Sequence, residues 1–290
     1  EMELFGAAVL RFDFPAHGEN DEEILSLQGC VDTLLDVAEF ALNRYPGVED
    51  LCIFATGFGA YVTLTAMADL IELDCRVRLV IQTPSLRMDQ TVLNLTHVSP
   101  VTLEAMEMAL VNTPRPLGIF NSFYEELRDN DVLAAYPIPF LILHGEHDDF
   151  VPMADIQNLR NLNDRARLVI IPGAGHQFQE PGAWDMALDL TRDWFSFEQV
   201  LLADSRFGPV RPVGDPVIPV GRGKYRRDRQ ILRHVGVPVR LRHVQIRHVV
   251  DHKYGTAVDL IIIFFCEIFF DPTFTDDLKL LGRYCAFPYR

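Results

Sequence analysis

Apolar runs of strand length alternate with longer stretches of helical spacing through the first two-thirds of this 290-residue chain. Ala7–Phe12, Leu51–Ala55, Val77–Gln82, Phe140–His144 and Arg167–Ile171 read as strands. Residues 23–43 carry Ile24, Leu27, Val31, Leu34, Leu35, Ala38 and Ala41 at helical spacing, and Pro46-Gly47 ends the segment. Further helices are expected from Ala60 to Leu73, through 155–161 and over 184–197. Short, continuously apolar strands separated by helices specify an α/β fold, a mostly parallel sheet with helices on both faces. Polar residues and glycines cluster just after the strands, at the carboxyl edge where such sheets place ligands.

Residues 84–136 break this rhythm. Pro100, Pro114 and Pro116 alternate with helical pieces at Thr102–Ala109 and Phe120–Arg128, which reads as a helical insertion at about 86–135 within a core of 1–200. A second boundary falls near residue 200. Residues 1–200 hold 32 acids, 11 arginines and no lysine, whereas 201–290 hold 9 acids and 15 basic residues. Four prolines (209, 212, 216, 219) and four glycines (208, 214, 221, 223) make 201–235 a linker, and its basic cluster around Arg226 reads as a solvated face. In 236–290, residues 237–249 alternate like two short strands, and Leu260–Phe265, extended through 266–270, reads as a central buried strand. A helix follows at 273–286.

Composition narrows the function classes. Hydrophobic residues at 49% and charged ones at 23% fit a folded chain rather than a disordered one. The net charge of -15 disfavours nonspecific nucleic-acid binding. The apolar run at 260–270 is too short, and interrupted by Glu267, to span a membrane. The chain opens on acid rather than on a basic signal region, so a cytoplasmic protein is expected. Five scattered cysteines do not make a disulfide scaffold, and Cys52 and Cys75 are expected in the core.

Three stretches carry chemistry. Ala55-Thr56-Gly57-Phe58-Gly59 joins a strand to a helix. His144 to Pro152 reads H-G-x-x-D-x-x-V-P and places Asp148 just after a strand. Gly173-Ala174-Gly175-His176 follows the last core strand. Two other readings are weaker. Gly57-x-Gly59 lacks the third glycine of a dinucleotide fingerprint. His144, His147, Asp148, Asp149 and His176 are metal-ligand types without a shared element to converge them.

In this order the three stretches resemble the α/β-hydrolase superfamily, and within it small bacterial esterases and acyl hydrolases of the cinnamoyl-esterase kind. The loop Phe12–Asn20 resembles the family's F-D-x-x-G-H-G-x-S loop, departing at Ala16 and Asn20. The resemblance covers about residues 5–197. It implies Asp148 as the acid, His176 as the histidine, the Phe58 N–H as one oxyanion donor and Gly57 at the nucleophile position. Glycine has no side chain, so no acyl-enzyme can form through residue 57. Thr56 is the nearest hydroxyl, and a water activated by His176 is the other route to slow hydrolysis. The resemblance further implies a lid that lines an apolar pocket with Met106, Phe120, Phe123 and Tyr124, ordinary packing being the equal alternative. It also implies a small ester or acyl substrate without metal or cofactor, and it leaves a homo-oligomer open.

The resemblance leaves one slot unfilled. A strand is expected between 7–12 and 51–55, and no sequence before residue 7 supplies it. Leu260–Phe265 is the candidate, which would make 236–290 a circularly permuted part of the core. An unrelated extension is the rival reading. Two functions stay open: a hydrolase scaffold inactive or impaired at Gly57, and a ligand-binding or interaction protein that keeps the pocket.

Overall fold

A computed structural model describes residues 7–18, 20–111, 116–196, 245–249 and 260–265. The linker at 201–235, the first of the two strands expected in 237–249, the extension at 266–270 and the helix at 273–286 lie outside these residues.

Among the described residues seven strands form one sheet. They are β1 (Ala7–Arg11), β2 (Asp50–Thr56), β3 (Arg76–Gln82), β6 (Phe140–Gly145), β7 (Arg167–Ile171), β8 (Gln245–Val249) and β9 (Leu260–Phe265). The order across the sheet is β7-β6-β3-β2-β9-β1-β8. All neighbours are parallel except β8, which pairs antiparallel with β1 at the edge. The strand at Leu260–Phe265 therefore lies between β1 and β2. Ile262 is the register partner of Val9 on one side and of Cys52 on the other.

Strands β2, β3 and β6 are apolar through most of their length because both faces of the sheet are covered there. Successive side chains point to opposite faces. Leu51, Ile53 and Ala55 of β2 join one buried cluster, with Leu79 and Ile81 of β3 and Phe140 and Ile142 of β6. Cys52 and Phe54 join the other, with Val80, Leu141 and Leu143. Helix α1 (Leu27–Arg44) and α2 (Gly57–Thr65) cover the first face, and α8 (Ala183–Ser196) covers the second through Ala187, Leu190 and Trp194. A short α3 (Met67–Leu70) follows α2, and α7 (Met153–Leu162) joins β6 to β7. Cys52 is buried as expected, whereas Cys75 is only partly covered, just outside β3.

Three helix boundaries differ from the sequence expectation. Helix α1 starts at Leu27 rather than near residue 23. The Ser26 hydroxyl accepts the Gly29 N–H at 3.0 Å, an N-cap that fixes the first turn, and Ile24 stays 68% exposed in the preceding loop. The next helix begins at Gly57 itself and breaks at Ala66, so one helix from 60 to 73 is replaced by α2, α3 and a turn. The helix expected at 102–109 is α5 (Pro100–Met106), which ends where Glu107 adopts a left-handed φ of 62°.

The insertion between β3 and β6 is accordingly not all helical. Helix α4 (Met88–Thr96) and α5 lead into an antiparallel pair, β4 (Met108–Val111) and β5 (Leu117–Phe120), and then into α6 (Asn121–Arg128). Two polar ties seat α6 on the core. The Glu126 carboxylate accepts the Leu27 N–H at the start of α1. Asn130, just past α6, accepts the Tyr61 hydroxyl at its carbonyl (2.8 Å) and donates its side-chain N–H to Thr65 Oγ1 (2.9 Å).

Candidate active site

Strands β2, β3, β6 and β7 are parallel neighbours, so the loops leaving their carboxyl ends share one edge of the sheet. Gly57 opens the first loop. Its φ of 46° lies in the left-handed region, where a glycine adopts the sharp strand-to-helix turn without a Cβ penalty. The Gly57 carbonyl accepts the Ser85 N–H at 3.3 Å, from the loop after β3. In that loop Thr83 also has a left-handed φ, 40°, and its N–H donates to Leu143 O of β6 at 2.8 Å. The turn at Gly57 is thus tied by backbone bonds through the β3 loop to β6.

The loops after β6 and β7 are packed backbone to backbone. His147 N donates to Ala174 O at 2.8 Å, Glu146 N to Ile171 O at 3.1 Å, and Gly173 N to Glu146 Oε2 at 2.8 Å. Gly145 has no space for a side chain: a Cβ there would lie 2.4 Å from both Ala174 O and Gly175 O. This contact explains the glycine after His144 in the H-G-x-x-D stretch.

The packing brings Asp148 and His176 together. The Asp148 side chain is fully buried. Its Oδ1 accepts the N–H groups of Phe150 and Val151, each at 2.8 Å, and its Oδ2 is 2.9 Å from His176 Nδ1. Burial alone would raise the carboxyl pKa. The bond and charge of His176 and the two backbone N–H groups outweigh it and hold the group below the ordinary 3.8. An ionised carboxylate only accepts, so the hydrogen sits on His176 Nδ1, and in the neutral imidazole Nε2 is the nitrogen with the lone pair. A histidine oriented in this way can take a proton through Nε2. Phe150 packs on the imidazole with ring centroids 4.9 Å apart.

Phe58 follows Gly57 and is buried among aromatic rings. Phe123 of the insertion meets it edge-on at 6.0 Å, as does Phe14, and His17 stacks on it at 6.3 Å. His17 also places Nδ1 2.8 Å from Pro15 O, which braces the loop after β1. Of the other residues expected to line a pocket, Tyr124 is buried, Phe120 is half-buried at the end of β5, and Met106 is 56% exposed. Among the described residues, no three His, Cys, Asp or Glu side chains are grouped to hold a metal ion, so the histidines and acids of 144–176 form no such cluster.

Sequence reasoning weighed His144 only as a metal ligand. The structure places its Nδ1 3.7 Å from Asp148 Oδ2. The four-residue spacing to Asp148 was the available signal. Gln82 and Ser85, buried beside the Gly57 turn with side-chain oxygens lacking a hydrogen-bond partner among the described residues, carried no signal of their own.

The mostly parallel sheet with helices on both faces matches the α/β-hydrolase fold of solved structures. A protein from Agrobacterium vitis S4, assigned as a hydrolase by inference, aligns over 63% of this chain and 74% of its own, with 17% identity and a TM-score of 0.52. Est1E from Butyrivibrio proteoclasticus, solved with ferulic acid bound, aligns over 62% and 73%, with 19% identity and a TM-score of 0.53. No family model and no curated protein matches the chain. Among the described residues no helix is long and apolar enough to cross a membrane.

Proposed function

We propose that this α/β-hydrolase scaffold is built for carboxylic-ester or related acyl hydrolysis and is inactive or impaired because Gly57 stands at the nucleophile position. The observation that carries the reading is the buried Asp148–His176 pair at 2.9 Å, on the same sheet edge as the left-handed turn at Gly57. Asp148 orients His176, His176 serves as base and acid, and the Phe58 N–H is one donor to the oxyanion. The nucleophile's oxygen is what the chain lacks. Met106, Phe120, Phe123 and Tyr124 are proposed to line the acyl pocket, with Phe123 supported by its contact with Phe58.

A second reading follows from the same glycine. A chain that keeps the pocket and has no side chain at residue 57 can bind an ester or acyl ligand without turning it over. The test is hydrolysis of a short aryl ester by the parent and by Gly57→Ser. The probe is aryl because Est1E, which shares the fold, holds ferulic acid. An inactive parent and an active variant support the hydrolase reading. Inactivity in both, with saturable ligand binding to the parent, supports the binding reading, and activity in the parent alone overturns the assignment of Gly57.

The same proposal covers the chain's organisation. We read 236–290 as a permuted part of the core, supported by the parallel register of β9 with both β1 and β2. Chain termini of domains often lie close together, which is what makes permutation tolerable.

A further inference from the structure

His144 is the last residue but one of β6, and its buried ring lies near the carboxylate of the candidate pair. Its side chain is 1% exposed, and its Nδ1 lies 3.7 Å from Asp148 Oδ2, the oxygen that His176 Nδ1 reaches at 2.9 Å. A separation of 3.7 Å is too long for a hydrogen bond, and His144 Nδ1 has no hydrogen-bond partner among the described residues. The other carboxylate oxygen is already taken by the Phe150 and Val151 amides. Two imidazoles therefore face one oxygen, and only one of them is bonded to it.

The surroundings explain the asymmetry. Burial disfavours a charge on His144 and lowers its pKa, Asp148 raises it, His176 lowers it, and a hydrogen bond with the Val151 backbone raises it. Asp148 from the loop after β6 and His176 from the loop after β7 are the ionisable groups that act on it. While His144 is neutral, its Nδ1 presents a lone pair or a weakly placed hydrogen to Oδ2, and His176 keeps the bond. A proton taken from solvent turns Nδ1 into a charged donor aimed at that oxygen.

We propose that His144 is a positioning residue that competes with His176 for Asp148 Oδ2: neutral, it leaves the carboxylate to His176, and protonated, it draws the carboxylate to itself and frees His176. The functional consequence rests on the hydrolase reading, because releasing His176 removes the orientation that reading requires. The structural claim concerns three side chains of this chain and is testable without a substrate.

The experiment is a proton NMR titration of the 15N-histidine-labelled full chain, from neutral pH to pH about 4.5, following the downfield Nδ1–H of His176. His176→Phe assigns the signal. The parent is expected to lose it as His144 protonates. In His144→Phe the signal is expected to persist to a pH lower by about half a unit or more. In His144→Gln, whose amide can donate to Oδ2 at any pH, it is expected to weaken already at neutral pH. Near-UV circular dichroism shows which variants keep the native packing. An unchanged midpoint in a folded His144→Phe, or in a folded His144→Gln if Phe does not fit, overturns the inference. If the titration behaves as expected while the Gly57→Ser chain hydrolyses nothing, the hydrolase reading fails and the competition stands. If that variant is active and the midpoint does not move, the competition alone fails.

Discussion

Gly145 and Ala174 meet so closely that a single added methyl group would lie 2.4 Å from the Ala174 carbonyl oxygen. The atoms it would strike are backbone, which cannot swing aside as a flexible side chain can. Gly145→Ala is therefore expected to part the loops that carry Asp148 and His176, at a cost of about 2 kcal/mol or more. Urea denaturation measures the loss. The His176 Nδ1–H signal should weaken in the same variant, and a normal melt with an intact signal would show that the loops are held elsewhere.

The position of β9 makes a separate prediction about the sheet. Its backbone is paired on both sides, with β1 and with β2, whereas β8 pairs with β1 only among the described strands. Proline removes an N–H and is tolerated at sheet edges far better than in the interior. Ile262→Pro is expected to abolish folding or to cost about 3 kcal/mol or more, and His248→Pro to cost clearly less. Equal losses in chemical melts of the two variants would contradict a central β9.

These elements differ in how far they could be read from the chain. Strands β2, β3 and β6 were legible because both faces of the sheet are buried, so a run such as Leu51–Ala55 has no polar position to obscure it. Asp148 and His176 were legible because each sits in a short loop after a strand. The start of α1 was not. Ile24 continues the apolar period but is exposed, and a serine cap overrides the pattern. The β4–β5 pair was hidden because four residues are too few to show a period, and Met108 and Leu110 face outward. His144 was visible as a residue but not as a neighbour of Asp148, since that contact depends on how the loop folds back.

Acid should destabilise the chain in two stages. The pKa of His144 is lowered from 6.5 in the fold, so the unfolded chain binds the proton more readily. Its contribution is complete above pH about 6.5 and is lost as pH falls through the lowered folded value. Asp148 is also lowered, from 3.8, and its contribution is lost in a second stage below that pH. Urea midpoints measured from pH 8 downward should be flat and then decline below about 6.5. His144→Gln should flatten the upper part of the decline and leave the lower part.

Tyr61 and Asn130 make the contact between α2 and the insertion that depends most on matched polar groups. The Tyr61 hydroxyl donates to the Asn130 carbonyl and accepts the Asn130 side-chain N–H at 3.0 Å, while that same amide reaches Thr65. Asn130→Ala removes one donor from each of two hydroxyl groups, which keep their own bonds to the residue 130 and Tyr61 carbonyls, and Tyr61 is 1% exposed. A lost hydrogen bond of this kind costs about 0.5–1.5 kcal/mol. Tyr61→Phe removes the hydroxyl and its bond to the Asn130 carbonyl while Asn130 keeps its bond to Thr65, so a loss of similar size is expected. A double-mutant cycle on the two positions should give a coupling of about 1 kcal/mol in urea melts, and additive losses would mean that the insertion is seated by its apolar contacts alone.

Gly57→Ser sets stability against chemistry. A serine at a φ of 46° is held in a conformation that side chains disfavour, at a cost of order 1–3 kcal/mol. The variant is expected to melt at lower urea than the parent while gaining aryl-ester hydrolysis. Adding His176→Ala to it should reduce that rate by about a thousandfold, since the serine loses its base. His176→Ala in the parent should leave whatever slow hydrolysis the parent shows nearly unchanged if that hydrolysis is background, and should abolish it if His176 activates a water. The single and double variants thus separate a missing nucleophile from a working water: only in the second case does the parent's own rate depend on His176.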